Sequence, residues 1–216
     1  MKNRNVPVFL MVLVMMAPAW AGTIETEFIE QPWPREYVHE LEVGRHPVRW
    51  RQRITKQDGL FAGVQCTVPL SRKATWDKAT EYQDIGKMTP GVTAVRYTEK
   101  TDTRQVIEMD VKILWKTLTM RFEIEQDPPN AVRFRWVDKT LGEYRGVTTF
   151  QELPPASPGA PPQTVMALST WLKPARPVPA RLLLMVERIT MLKGVETFLD
   201  AAAPRTALAE ASKPPG

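Results

Sequence analysis

The sequence predicts an α+β protein in which a curved antiparallel sheet wraps around a long C-terminal helix, with two short helices after an early strand. Three observations predict it. Apolar and polar residues alternate through consecutive segments between residues 92 and 172, which is typical of strands with one buried face. Turn residues separate these segments. Apolar residues then recur at spacings of three and four between residues 182 and 199, which indicates an amphipathic helix that can cover the sheet.

The sheet is expected to begin with a hairpin. Residues 48–54 and 60–68 have the composition of strands, and Asp58-Gly59 between them is typical of a two-residue hairpin turn. Upstream of the hairpin, residues 34–43 are compatible with a short helix that ends at Gly44.

Two short helices should follow. Ser71 is a candidate N-cap for a helix over residues 72–82, and residues 83–88 are compatible with a second helix. Thr89-Pro90-Gly91 is a turn, after which the period changes from helical spacing to two.

The remaining strands form a meander that the last helix covers. The predicted strands span residues 92–99, 106–115, 118–124, 132–136, 144–150 and 165–172. In 165–172 both alternating sets contain apolar residues, so its inward face stays open. The helix begins near Pro179, and its predicted buried stripe consists of Leu182, Met185, Ile189, Leu192, Val195 and Leu199.

The N-terminus predicts export. Lys2 and Arg4 precede an apolar run over residues 8–16, and Ala19-Trp20-Ala21 supplies the small residues of a cleavage site before Gly22. The run is too short for a spanning helix, which needs roughly 20 residues. We therefore expect a signal peptide over residues 1–21 and a mature protein that is periplasmic or secreted.

The net charge limits the classes of partner that this chain is expected to bind, and the cysteine content limits its disulfides. The formal net charge of +5 falls to +3 when the two basic residues Lys2 and Arg4 are removed. No concentrated basic stripe is present, so nucleic-acid binding is not expected, whereas a weak, transient attraction to anionic lipid is compatible with this charge. Cys66 is the only cysteine, which excludes an internal disulfide, and its place in an alternating strand predicts a small buried residue.

Local motifs resemble the START-like superfamily, also called the helix-grip, SRPBCC or polyketide cyclase/dehydrase type. The segment from Val68-Pro69-Leu70-Ser71 to Trp76 resembles the end of a strand, the helix cap and the first helix of this superfamily. The segment from Glu81-Tyr82-Gln83-Asp84 to Pro90-Gly91-Val92 resembles the family segment that follows, in which Asp usually stands at the position of Glu81. Arg121-Phe122-Glu123 resembles a strand found in many members, and Pro177-Val178-Pro179 resembles the entry to the final helix. The resemblance covers residues 46–202, which leaves an N-terminal extension at 22–45 and a disordered tail at 203–216.

The resemblance implies an apolar pocket between the helix and the sheet for a lipid, sterol, quinone or polyketide-like molecule. Aromatic, methionine and other residues on the expected concave face are the candidate lining. They are Met109, Trp115, Phe122, Phe134, Trp136, Tyr144, Thr148, Phe150, Met185 and Ile189. Tyr144 and Thr148 share a strand face and would provide polar anchors. The alternative for each residue is that it simply fills the core.

Catalytic groups are scarce in the sequence. His39 and His46 lack metal-ligand spacing with other ligands, and Glu108 and Asp110 share a strand face with Lys112, which favours a solvated outer face. No glycine-rich phosphate loop and no serine triad is identifiable, so no catalytic residue, metal or cofactor is predicted.

The sequence therefore favours an exported, monomeric binding protein for a hydrophobic small molecule or lipid. Two alternatives remain open. One is a cyclase- or dehydrase-like enzyme that uses the same pocket, which a buried Asp or Glu on the concave face would favour. The other is a cell-envelope interaction module that uses the proline-rich residues 154–162 and the N-terminal extension.

Overall fold

A computed structural model of the chain describes residues 38–54, 59–89, 91–113, 116–138 and 142–203. The predicted signal peptide, residues 22–37 of the predicted extension, Trp115 and residues 204–216 of the predicted tail lie outside these ranges.

The described residues form nine strands and three helices, in the order that the sequence predicts from residue 46 onward. The strands are β1 (His39–Val43), β2 (His46–Ile54), β3 (Leu60–Val68), β4 (Val92–Lys100), β5 (Arg104–Ile113), β6 (Lys116–Asp127), β7 (Ala131–Trp136), β8 (Gly142–Leu153) and β9 (Gln163–Pro174). The helices are α1 (Arg72–Ala79), α2 (Tyr82–Met88) and α3 (Ala180–Ala202).

All nine strands belong to one antiparallel sheet, ordered β1-β2-β3-β9-β8-β7-β6-β5-β4. The meander β4 to β9 follows from short connections, since sequential strands pair with their neighbours. The pairing of β9 with β3 joins the meander to the N-terminal hairpin. The α+β class, the curved antiparallel sheet and the long C-terminal helix are thereby confirmed.

The helix predicted over residues 34–43 is wrong for its described part. His39–Val43 is strand β1, which pairs with β2 so that Val43 lies opposite His46. Gly44 has φ +61°, the left-handed conformation that a tight hairpin requires and that glycine adopts at low cost. Leu41 and Val43 alternate with exposed neighbours and pack against the core, so a strand buries them where a single helical turn would not.

The β2–β3 hairpin is confirmed, whereas residues 55–58 of its predicted turn lie outside the described residues. Ile54 lies opposite Leu60, so five residues connect the strands. Gly59 has another role: a Cβ atom there would lie 2.6 Å from Nε1 of Trp171. The glycine therefore permits the close approach of a tryptophan from β9.

Helix α1 begins as predicted. The Ser71 side chain accepts a hydrogen bond of 3.3 Å from the backbone N–H of Ala74, and the Thr75 hydroxyl donates to the Ser71 carbonyl at 3.0 Å. The helix buries Trp76, whose ring meets Phe150 edge-on at a centroid distance of 5.4 Å. This contact packs helix α1 against strand β8.

Replacing Ser71 with alanine should lower the free energy of unfolding by about 1 kcal/mol, because the first turn of α1 loses its side-chain cap. Urea unfolding followed by circular dichroism measures the change. Ser157→Ala, at an exposed loop position, is the control and should leave the midpoint unchanged. Equal midpoints for the two variants would contradict the capping role.

Helix α3 packs on β1, β2 and β3 and also contacts α2. Its buried residues are Glu187, Met191, Val195, Phe198, Leu199 and Ala202. The predicted buried stripe is therefore correct for Val195 and Leu199 and wrong for Leu182, Met185 and Ile189, which are exposed. Residues 182–186 are all apolar, so spacing alone could not decide which side of the first turns points inward.

The opposite face of the sheet is not uniformly solvated. Phe61, Ala131, Val147 and Trp171 form a second buried cluster there. The guanidinium carbons of Arg51 and Arg53 lie 5.4 and 5.6 Å from the centre of the Phe61 ring, and that of Arg145 lies 4.7 Å from the Trp171 ring. Strand β3 is consequently buried on both faces over most of its length.

Candidate functional site

Three aromatic rings line the centre of the concave face. Phe122 on β6, Phe134 on β7 and Tyr144 on β8 lie on the same side because each strand alternates its side chains. Their ring centroids are 6.4 Å apart for Phe122–Phe134, 6.3 Å for Phe122–Tyr144 and 5.8 Å for Phe134–Tyr144. Phe122 meets the other two rings edge-on, and Phe134 and Tyr144 are tilted relative to each other, so the three rings form one packed aromatic layer.

A buried carboxyl group faces this aromatic layer from helix α3. Oε1 of Glu187 accepts a hydrogen bond of 2.8 Å from the Thr170 hydroxyl and one of 3.3 Å from the Tyr144 hydroxyl. Glu187 is 8% exposed and Thr170 is 1% exposed. Strands β8 and β9 and helix α3 thus each contribute one member of a polar trio, Tyr144, Thr170 and Glu187.

Burial changes the ionisation of this trio. Desolvation raises the pKa of Glu187, and the hydrogen bonds from Thr170 and Tyr144 oppose the shift. Burial, followed by the negative charge of Glu187, raises the pKa of Tyr144 well above its usual value. The site therefore holds a neutral phenol beside a carboxyl group that retains its proton to a higher pH than an exposed glutamate.

The apolar wall around the trio is only partly covered. Several of its members are half-buried although they lie on the inner face of the sheet. They are Met109, Met120, Phe134, Thr148 and Leu168. Helix α3 packs over the β1–β3 side of the sheet, so these residues of β5 to β9 keep accessible surface. A partly open apolar groove with convergent polar groups is the usual form of a small-molecule site.

One residue of the apolar wall, Trp136, has a hydrogen-bond donor without a partner. Trp136 is 8% exposed, and its indole N–H is buried without a hydrogen-bond partner. An unsatisfied buried donor is costly, so a ligand acceptor or a water molecule at this position would be favoured.

A cleft lies at the β1–β2 edge of the sheet. This cleft, of about 420 Å³, is lined by Val38, His39, Glu40, Leu41, Trp50, Gln52 and Arg188. Trp50 Nε1 and Gln52 Oε1 are buried without partners. The cleft is therefore polar, and it is separate in its residues from the aromatic layer.

The structure places most of the predicted lining residues together. Phe122, Trp136 and Phe150 are buried, whereas Met109, Phe134, Tyr144 and Thr148 are half-buried on the same concave face. Trp115 lies outside the described residues. Met185 and Ile189 are 53% and 59% exposed and point away from the groove, so their predicted inward placement is corrected.

Sequence reasoning missed Glu187 and Thr170. Glu187 lies four residues before Met191 and eight before Val195, so counting back from the second half of the helix would have placed it on the buried face. Thr170 lies in the strand whose inward face the sequence leaves open. Glu187 is a buried carboxylate of the kind that favours an enzyme, although it lies on helix α3 and faces the concave side of the sheet instead of belonging to it.

Other reactive groups lie apart from the groove. Asp110 receives hydrogen bonds of 2.6 and 2.9 Å from Arg96 on the outer face of the sheet, and these lower its pKa to about 2. Cys66 is buried, which raises the pKa of its thiol to about 12, so the predicted small buried residue is confirmed. His46 Nε2 lies 2.9 Å from Asp200.

Two features do not occur among the described residues. No group of three or more His, Cys, Asp or Glu side chains has the arrangement of a metal site within the described ranges. None of the three helices in those ranges combines the length and apolar character needed to cross a membrane.

Comparison with solved structures identifies the fold. The chain is similar to the Zhui aromatase/cyclase from Streptomyces sp. R1128, with a TM-score of 0.54 and 16% identity over 66% of this chain and 93% of that one. It is also similar to a START superfamily protein from Mycobacterium smegmatis, with a TM-score of 0.54 and 11% identity over 66% of this chain and 99% of that one. No protein-family model and no curated protein matches the sequence. The chain thus has the START-like, helix-grip fold.

Proposed function

We propose that this protein binds a hydrophobic small molecule or lipid in the groove between the concave face of the sheet and helix α3. The observation that carries the proposal is the polar trio Tyr144, Thr170 and Glu187 set into a half-buried apolar wall. An apolar body would lie against Phe134, Met109 and Leu168, and a hydroxyl or carbonyl group would meet the trio.

The expected signal peptide extends this proposal to location and role. A chain exported by residues 1–21 would act in the periplasm or outside the cell, where a water-insoluble cargo needs a carrier. A monomer suffices for such a role, because the groove is built from one chain.

Thr148→Trp should lower the affinity for the neutral hydrophobic dye N-phenylnaphthylamine by about tenfold or more, because an indole at this half-buried inner position fills the groove. Fluorescence titration measures the affinity. Gln151→Trp is the matched control: it lies on the same strand, is exposed, and faces the opposite side of the sheet, so its affinity should equal that of the parent chain.

Dye binding that survives Thr148→Trp would contradict the groove as the binding site. Native mass spectrometry of the chain as recovered from cells gives an independent test. An added mass that is lost on denaturation and extracts into organic solvent supports a carrier and gives the class of its cargo.

Glu187 favours a second candidate function, an acid–base enzyme. A buried carboxyl group with a raised pKa is suited to protonate a hydroxyl group, which leaves as water when its C–O bond breaks. The Glu187 carboxylate would then take a proton from the adjacent carbon, so that a C=C bond forms and the acid is regenerated. Molecules extracted from the parent chain and from Glu187→Gln distinguish the two functions. A carrier yields the same molecule from both, whereas an enzyme blocked at Glu187 retains a precursor of higher mass.

A further inference from the structure

The outward face of helix α3 changes character halfway along the helix. In its first half this face carries Leu182, Met185, Val186 and Ile189, with exposures of 46, 53, 50 and 59%. These positions recur at spacings of three and four, so they form one continuous stripe on the side opposite buried Met191. Val178, just before the helix, is a further exposed apolar residue at 40%. We call the four helix residues the apolar stripe.

The second half of the same face is polar, as expected for a solvated helix. Lys193 pairs with Glu196 at 2.8 Å, and Asp200 pairs with His46 at 2.9 Å. The apolar stripe is therefore not a general property of the helix surface. Contiguous exposed apolar groups of this kind mark an interaction surface.

The charges beside the apolar stripe are predominantly positive. Arg181 and Arg188 are seven residues apart, so they lie on one flank of the stripe, and both are exposed. Arg176 adds a third exposed cation before the helix. The only acid between residues 173 and 195 is Glu187, which is turned inward to Thr170 and Tyr144. Glu40 lines a cleft with Arg188 and offsets part of this charge.

We propose that the apolar stripe docks on the surface of a membrane rich in anionic phospholipid. Leu, Met, Val and Ile side chains would enter the boundary between headgroups and acyl chains, while the flanking arginines would reach the phosphates. Anionic lipid adds an electrostatic attraction for each arginine near the surface. This docking is independent of the proposed cargo, since it needs only the outer face of the helix.

The charge pattern favours lipid over a second copy of this chain. In a twofold dimer the same surface patch meets itself, so Arg181 and Arg188 of one copy would lie near the arginines of the other. The stripe itself offers no acid to neutralise them, because Glu187 faces inward. Like charges at such an interface oppose association, whereas an anionic lipid surface neutralises all of them at once.

The test measures co-sedimentation of the purified full chain with vesicles of equimolar phosphatidylglycerol and phosphatidylcholine. The parent chain should bind these vesicles more tightly than vesicles of phosphatidylcholine alone, and added salt should weaken the binding. Met185→Ser together with Ile189→Ser should reduce the partition coefficient by about tenfold or more, because two apolar side chains no longer enter the lipid. Both residues are exposed, so the double variant should keep its melting temperature.

Two further variants sharpen the test. Arg181→Gln with Arg188→Gln should weaken binding to the anionic vesicles and leave binding to phosphatidylcholine unchanged. Val137→Ser, at a residue that is 42% exposed on another part of the surface, should bind as the parent chain does. Equal binding of the parent chain and the Met185/Ile189 variant would overturn the proposal. A concentration-dependent dimer of the parent chain that the Met185/Ile189 variant dissociates would also overturn the proposal, because a second copy would then occupy the stripe. Thr148→Trp should leave vesicle binding intact even if the proposed cargo site is wrong.

Discussion

Replacing Gly146 with alanine is expected to destabilise the protein by at least about 3 kcal/mol, because the added methyl group would overlap neighbouring atoms. A Cβ atom at this position would lie 2.4 Å from Cζ of Phe134 and 2.5 Å from the backbone oxygen of Ser169. Strand β8 is held between β7 and β9, so the backbone cannot shift away from both contacts. Thermal unfolding measures the loss, and dye binding should fall with it because Phe134 belongs to the groove wall.

Gly194→Ala is the matched control for this substitution. A Cβ atom at Gly194 would meet nothing within 4 Å, and the residue lies inside helix α3. Alanine there should stabilise the protein by up to about 1 kcal/mol, because it restricts the unfolded chain and favours the helix. A Gly146→Ala variant that melts at the temperature of the parent chain would show that Phe134 does not pack over β8.

Glu187→Gln is expected to stabilise the protein at neutral pH by about 1 kcal/mol, the low end of the cost of a poorly solvated buried polar group. Because the pKa of Glu187 is raised above its ordinary value of 4.5 in the folded protein, the folded state holds the proton more tightly than the unfolded state does. This favours folding fully below pH 4.5 and is lost as the pH rises through the folded-state pKa. The parent chain should therefore lose stability relative to the variant as the pH rises from 4.5 towards 7.

The measurement is urea unfolding of both chains across this pH range. Glutamine keeps an oxygen that accepts from Thr170 and Tyr144, so the comparison isolates the charge. Glu143→Gln, at an exposed position of β8, is the control and should follow the pH dependence of the parent chain. If Glu187→Gln and the parent chain show the same pH dependence, Glu187 does not lie buried against Thr170 and Tyr144.

The concave face could be read from the sequence because period-two alternation decides which residues share a side of a strand. Phe122, Phe134, Trp136, Tyr144 and Phe150 follow this rule, and the structure brings them to one face. The same alternation does not predict that Thr170 and Glu187 join Tyr144 in the polar trio. Thr170 lies in a strand with apolar residues on both faces, and Glu187 follows five consecutive apolar residues in the helix.

Local patterns in the sequence therefore predict the order of the elements from residue 46, the cap at Ser71 and the inner face of the meander. These features depend on local propensity and on side-chain periodicity, which are both properties of residues close together in the sequence. The rotation of helix α3 about its axis and the position of strand β1 depend instead on tertiary packing. Docking of Val195 and Leu199 on the sheet turns Glu187 inward and Met185 outward, and pairing with β2 makes residues 39–43 a strand. Such choices depend on contacts between distant segments, which no local pattern specifies.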